Sequence, residues 1–344
     1  RVIGGRSYLE ATEEFIFTEV VAAYLDVRLS KSIVELNRNQ VQILETNLES
    51  NKDRFEVGDL TRTDTAQSEA RLQLARTNLS IAEAGLVTAQ EDYLRLTGLV
   101  ADELLPPPPL PPLPDTAEQI AEIALRDNHS LNVARANANA ANYDKNSANA
   151  SRLPQISAVL STSYGDYFGT LRPLGNAPSN LFQQSSRNSV VGLTASLPLY
   201  QGGGASAKVR AAAAQATVAK QQLIATERSI LANARSALAN YRAGQNSILA
   251  NQKAVAANEL ALAGIRVENS VGSRTVLELL NAKQELLNSK VALLTAERNA
   301  YVAGFRLLAV MGRAGIKDLG IEGGSLYDPL VNYRAVTNNI IDWG

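Results

Sequence analysis

Apolar residues return every seven positions along the first part of the chain, at Val20, Val27, Val34, Val41, Leu48 and Phe55. A repeat of seven keeps one stripe facing one neighbour and predicts left-handed supercoiled helix. The row breaks at Val57-Gly58-Asp59 and resumes as Leu72, Leu79, Leu86 and Tyr93. Further on, Val209, Ala216, Leu223 and Ile230 are followed, after a step of four, by Ala234, Tyr241, Ile248, Val255, Leu262 and Asn269. The step of four is a stutter that locally relaxes the supercoil. A last row runs Leu279, Leu286, Leu293, Ala300 and Leu307. Residues 205–269 hold no proline. A single helix of that span is roughly 100 Å long at 1.5 Å per residue.

The helical patterns are two copies of one unit. Ala11-Thr12-Glu13 recurs as Ala225-Thr226-Glu227, Val57-Gly58 as Val271-Gly272, Thr61 as Thr275, Leu72 as Leu286 and Gly98 as Gly312, all at an offset of 214. One offset held over such a distance means that the copies share length as well as motif, as a duplicated helical hairpin would. Each hairpin turns at Val-Gly, where glycine suits a left-handed C-cap, and Asp59, Thr61 or Ser273 can cap the returning helix. The tips read either as ordinary turns or as docking points for another protein.

Between the copies the period changes from seven to two. Pro154 ends a helix. Ile156, Ala158, Leu160 and Thr162 then alternate with Ser157, Val159, Ser161 and Ser163. Val191, Leu193, Ala195, Leu197 and Leu199 alternate with Val190, Gly192, Thr194, Ser196 and Pro198. These are two β-strands with one apolar face, each about as long as a strand crossing a bilayer at a tilt. Tyr164, Tyr167 and Phe168 cluster at one end like an interfacial girdle. Two strands alone make no stable sheet, and an open edge in hydrocarbon strands its N–H and C=O groups. The hairpin therefore needs strands from elsewhere, unless it is a small soluble ribbon packed on a helix.

Leu104-Leu105 leads into the proline-rich run 106–114, which reads as a stiff, extended strap between helices. Asp115 with Glu118 predicts a capping box opening a short helix to Asp127, followed by a helix over 130–151. His129, the one histidine, sits where capping explains it. The tail from Gly315 lacks periodicity and is expected to wrap the outside of the bundle.

Composition narrows the function. Net charge is −1, which gives no electrostatic case for nucleic acid. Without cysteine there are no disulfides or thiol chemistry. No phosphate loop, metal cluster or nucleophile–base pair appears, so no catalytic residue, cofactor or metal ligand is expected. No apolar run reaches the roughly 18–20 residues of a membrane-spanning helix. Arg1 opens directly into helical pattern without a signal peptide, and a preceding N-terminal part is expected.

The repeated Val-Gly tips, Ala11-Thr12-Glu13 leading into Ala23-Tyr24-Leu25-Asp26-Val27, and the strand-to-helix run from Ser196 through Leu197-Pro198-Leu199-Tyr200-Gln201 to Gly203 resemble the TolC family of outer-membrane export channels. Tyr327-Asp328-Pro329 followed by Asn332-Tyr333 resembles the branch serving type I protein secretion. The resemblance implies a homotrimer in the bacterial outer membrane and periplasm. Four strands per subunit would line one barrel, with long helices lining a tunnel. The expected partners are a periplasmic adaptor (membrane fusion) protein at the Val57-Gly58 and Val271-Gly272 tips, an inner-membrane ABC or other export pump, and outer-membrane lipid. The family's gate positions fall on Thr63, Asp64, Arg274, Glu278 and Asn281. Glu278 keeps the family's charge. Asn281 replaces its second acid, so weaker cation binding at the constriction is expected. A family tyrosine falls on Asn269.

The expected fold is mainly α with a β-barrel portion, two of the four strands lying outside the chain. Residues 1–98 form the first periplasmic hairpin, 99–130 an equatorial segment with the strap and 131–154 a helix leading to the barrel. Residues 155–200 form the membrane hairpin, 201–312 the second periplasmic hairpin and 313–344 the equatorial tail. The function expected is a passive export conduit, not an enzyme. The alternative is a soluble or periplasmic coiled-coil adaptor or scaffold, separated from the first by whether the Val191–Leu199 face meets lipid or a core.

Overall fold

The computed structural model describes residues 1–102, 104–170, 183–315, 319 and 331. Among these residues six helices and two strands run in the order α1 (Val2–Glu56), α2 (Arg62–Thr97), α3 (Ala117–Asp127), α4 (His129–Ala150), β1 (Gln155–Asp166), β2 (Ser185–Ser196), α5 (Gly204–Ser270) and α6 (Val276–Val310). The motif Tyr327-Asp328-Pro329 with Asn332-Tyr333 lies outside the described residues, as does most of the tail. The chain divides into two compact units, Arg1–Arg135 with Ile224–Gly344, and Ala136–Leu223.

In the first unit the seven-residue rows become packing seams. Val27, Val34, Val41 and Leu48 of α1 are buried, and α2 answers with Leu72 and Tyr93. Asn51 donates to Ser68 Oγ at 2.8 Å across that seam, satisfying two buried polar groups. Near the hairpin tips Val276 and Leu280 of α6 join Val41, Leu44, Leu48, Leu72 and Ala75 in one cluster, which docks the second copy on the first. A larger cluster gathers Ile120 of α3, Ala234 and Leu238 of α5, and Phe305, Leu307, Leu308 and Met311 around the end of α6. Both sides of the stutter, Ile230 and Ala234, are buried. Beyond Leu238, the α5 row through Tyr241, Ile248, Val255 and Leu262 is only half-buried.

The proline-rich run is held as a strap, because proline carbonyls in an extended chain have no internal donors. The Tyr24 hydroxyl donates to the Leu105 carbonyl at 2.6 Å and the Tyr301 hydroxyl to that of Pro108 at 2.9 Å. Lys31 and Arg242 donate to the carbonyls of Asp102 and Asp115 at either end. Donors from α1, α5 and α6 thus hold one segment. Leu110 fits the notch left by Gly304, where an added Cβ would stand 2.4 Å from its Cδ1.

Two expected caps moved. Helix α3 is capped by Thr116, whose hydroxyl accepts from Gln119 N, and not by an Asp115–Glu118 box. Helix α6 is capped by Thr275 and not Ser273, because Ser273 donates to the Glu268 carbonyl and so closes the preceding turn. Asn128 caps α4 through Leu131 N, while His129 sits between α1 carboxylates, 3.0 Å from Glu10 and 3.5 Å from Glu14.

In the second unit β1 and β2 form an antiparallel ribbon. Arg152 donates to Ser206 Oγ at 3.2 Å, tying the segment before β1 to the start of α5.

Candidate functional site

The ribbon's register sorts its side chains by chemistry. Ile156 faces Ala195, Ala158 faces Leu193, and Leu160 faces Val191. Successive residues of a strand point to opposite faces, so these pairs share one face. Their neighbours on the other face are Gln155 with Ser196 and Ser157 with Thr194. Ile156, Leu160, Val191 and Leu193 are 74–81% exposed. An apolar face that nothing among the described residues covers marks an interaction surface. Tyr164, Tyr167 and Phe168 at one end, and Tyr200 beyond the other, are exposed aromatics bracketing the apolar band. That is the arrangement of aromatic girdles at both interfaces of a membrane barrel.

The two hairpin tips repeat the same two backbone hydrogen bonds. Gly58 N donates to the Phe55 carbonyl and Asp59 N to that of Arg54, while Gly272 N donates to Asn269 and Ser273 N to Glu268. Gly58 and Gly272 take φ of +85° and +79°, a conformation that side chains with a Cβ resist. Thr61 and Asp64 form a capping box at the start of α2, and Thr275 and Glu278 form its counterpart at α6. Val57 and Val271 stand exposed beside the turns.

The expected gate residues separate into two groups. Arg274 Nε lies 2.7 Å from Glu268 and its Nη1 2.8 Å from Glu278, both within its own hairpin. Asn269 donates to the Arg274 carbonyl at 2.8 Å. Asp64 accepts from Thr61 N and Oγ1, and Thr63 is exposed in the first turn of α2. Asn281 instead reaches the other copy, its Oδ1 accepting from Arg71 at 2.6 Å. Sequence reasoning missed Glu268 and Arg71. Glu268 adjoins a position already singled out, but Arg71 carries no local signal.

Glu278 is held at a pKa of about 2, chiefly by the Thr275 backbone N–H and then by Arg274. Its contribution to stability is present above the ordinary value of 4.5 and is lost as pH falls through about 2. Arg274→Ser should raise its midpoint only part of the way, because the cap stays. A side-chain NMR titration reads this. Lys283, half-buried on α6, is pushed down to about 8 by burial and then by the Arg266 charge. Its folded value lies below 10.5, so the unfolded chain binds more protons between pH 8 and pH 10.5, and stability rises across that window. Lys283→Met should flatten that rise in thermal melts.

A profile of the outer membrane efflux protein family matches residues 120–313. The chain belongs to this family. The outer membrane efflux protein BepC of Brucella suis is 31% identical over 337 residues, 98% of this chain and 71% of BepC. Outer membrane protein TolC of Escherichia coli is 26% identical over 333 residues, 93% of this chain and 66% of TolC. Among solved structures, the Campylobacter jejuni CmeC outer membrane channel superposes with a TM-score of 0.74 at 16% identity, over 98% of this chain and 71% of that one. As an outer membrane efflux protein the chain is a channel component of the outer membrane that reaches into the periplasm, and it is not an enzyme. The reading as a soluble coiled-coil scaffold is set aside. Among the described residues no helix is long and apolar enough to cross a membrane.

Proposed function

We propose that this chain is the subunit of a trimeric, passive export conduit. Three copies would complete one barrel with their ribbons, and the hairpins would line a periplasmic tunnel. The observation that carries the reading is the ribbon itself. It has an uncovered apolar face, an aromatic bracket and two edges that need strands from elsewhere. The energy for transport is supplied by an inner-membrane ABC or other pump, coupled through a periplasmic adaptor that meets Val57-Gly58 and Val271-Gly272. The cargo route is type I protein secretion, efflux or both. Thr63, Asp64, Arg274, Glu278 and Asn281 form the periplasmic gate.

Exposed ion pairs are individually weak, so several of them make a closure that a partner can undo. Single-channel recording in planar bilayers tests the gate. Arg274→Ser should raise conductance by freeing Glu268 and Glu278. Arg71→Ala should raise it further, because that side chain bridges the copies. Unchanged conductance in both variants would remove these residues from the gate.

A further inference from the structure

The duplication and the docking of the two copies together say more than either does alone. In the chain the first copy offers Arg71 of α2, and the second accepts it with Asn281 of α6. If copies alternate around a closed ring, each second copy must in turn offer its corresponding face to the first copy of the next subunit. Such head-to-tail interfaces close into rings by repeating one geometry. The offset of 214 converts the observed pair directly: position 71 becomes Glu285, and position 281 becomes Gln67.

The converted pair is chemically complementary. In Arg71–Asn281 the first member is a cation that donates to an amide oxygen. At Glu285–Gln67 the first member is an anion, and the amide of Gln67 can turn its NH2 toward it. An amide has both an acceptor and a donor end, so it serves either sign of partner. Charge-assisted bonds of this kind are the stronger ones. Neither Gln67 nor Glu285 has a side-chain partner among the described residues, and Glu285 is exposed. The apolar seam converts as well. Val41, Leu48 and Leu72, which receive α6 within the chain, become Val255, Leu262 and Leu286, which are half-buried here.

We propose that Glu285 of one subunit is bonded by Gln67 of a second copy of this chain, repeating between subunits the Arg71–Asn281 contact made within one. This rests on the trimeric reading above. It identifies the occupant of the half-buried lower face of α5 and α6 as the α2 helix of the next copy.

The chain has no cysteine, so thiol cross-linking has no background. Gln67→Cys/Glu285→Cys, extracted from outer membranes and treated with a short bis-maleimide, should give covalent dimers and trimers on denaturing gels. Arg71→Cys/Asn281→Cys should cross-link only within the chain and run as a monomer. Either single variant should give no ladder, and a ladder from Gln67→Cys alone would mean a two-fold contact and overturn the proposal. A protein that is trimeric in detergent while the 67/285 pair stays uncross-linked also overturns it, leaving the trimer intact. A monomer in detergent overturns the trimeric reading itself. As a second check, Gln67→Lys should keep the trimer's resistance to dissociation, and Gln67→Glu should lower it severalfold by setting two carboxylates together.

Discussion

Arginine placed at both Leu160 and Val191 should remove the protein from the outer membrane. The two residues are cross-strand partners near the middle of the ribbon, on its apolar face. An arginine facing lipid at the bilayer midplane of a barrel costs about 2–4 kcal/mol. Two in each copy approach the whole stability of a typical domain, about 5–15 kcal/mol. The expected outcome is loss of detergent-extractable protein from the outer-membrane fraction, with the chain recovered as aggregate or degraded. The same pair of arginines at Ser157 and Thr194, which face each other on the polar side, should leave membrane assembly intact. Equal loss from both pairs would mean that the polar side is not a water-filled lumen. Equal tolerance would mean that the apolar side never meets lipid.

That contrast depends on an alternation of faces that is legible in the sequence, and on a register that only the pairing shows. Period-two alternation assigns each strand residue to a face, and the observed pairing puts the two apolar faces together. The long helices were legible for a similar reason. An uninterrupted run without proline from 205 to 269 became α5, and the rows of seven in the first copy became the seam between α1 and α2. What the sequence hid was of two kinds. Caps moved by a residue or two, because Thr116 and Thr275 compete with neighbours of nearly equal capping power. Contacts between distant segments left no local trace. Arg71 meets Asn281 across 210 positions, and the donors to the strap come from α1, α5 and α6. Those partners are fixed by which helices lie side by side, and periodicity says only that some neighbour exists. The same limit explains α5, whose row keeps its period beyond Leu238 although the described residues supply too little to cover it.

Gly312→Ala should be the most damaging single-methyl change in the helical unit. Gly312 ends α6 at φ +73°, where its N–H bonds the Ala309 carbonyl and Arg313 N that of Leu308. A Cβ there would stand 2.5 Å from the Asp127 carbonyl oxygen and 3.1 Å from Asn128 Cα. The left-handed conformation alone costs a residue with a Cβ roughly 1–2 kcal/mol. Overpacking adds about 1–3 kcal/mol. The clash is with backbone, and that backbone is itself fixed, because Asn128 donates to the Val310 carbonyl and Arg313 reaches Asp127. Relief therefore requires α3 and α4 to move off the end of α6. Two other glycines separate the contributions. Gly58 has φ +85° but open space around it, so Gly58→Ala should carry only the conformational cost. Gly304 has no positive φ, and its nearest neighbour is the end of the Leu110 side chain, which can turn away. Thermal melts in detergent should therefore rank Gly312→Ala well below the other two. A Gly312→Ala melting point equal to that of Gly58→Ala would mean that the Asp127–Asn128 corner yields freely, and that the joint between α6 and the α3–α4 turn is not a rigid one.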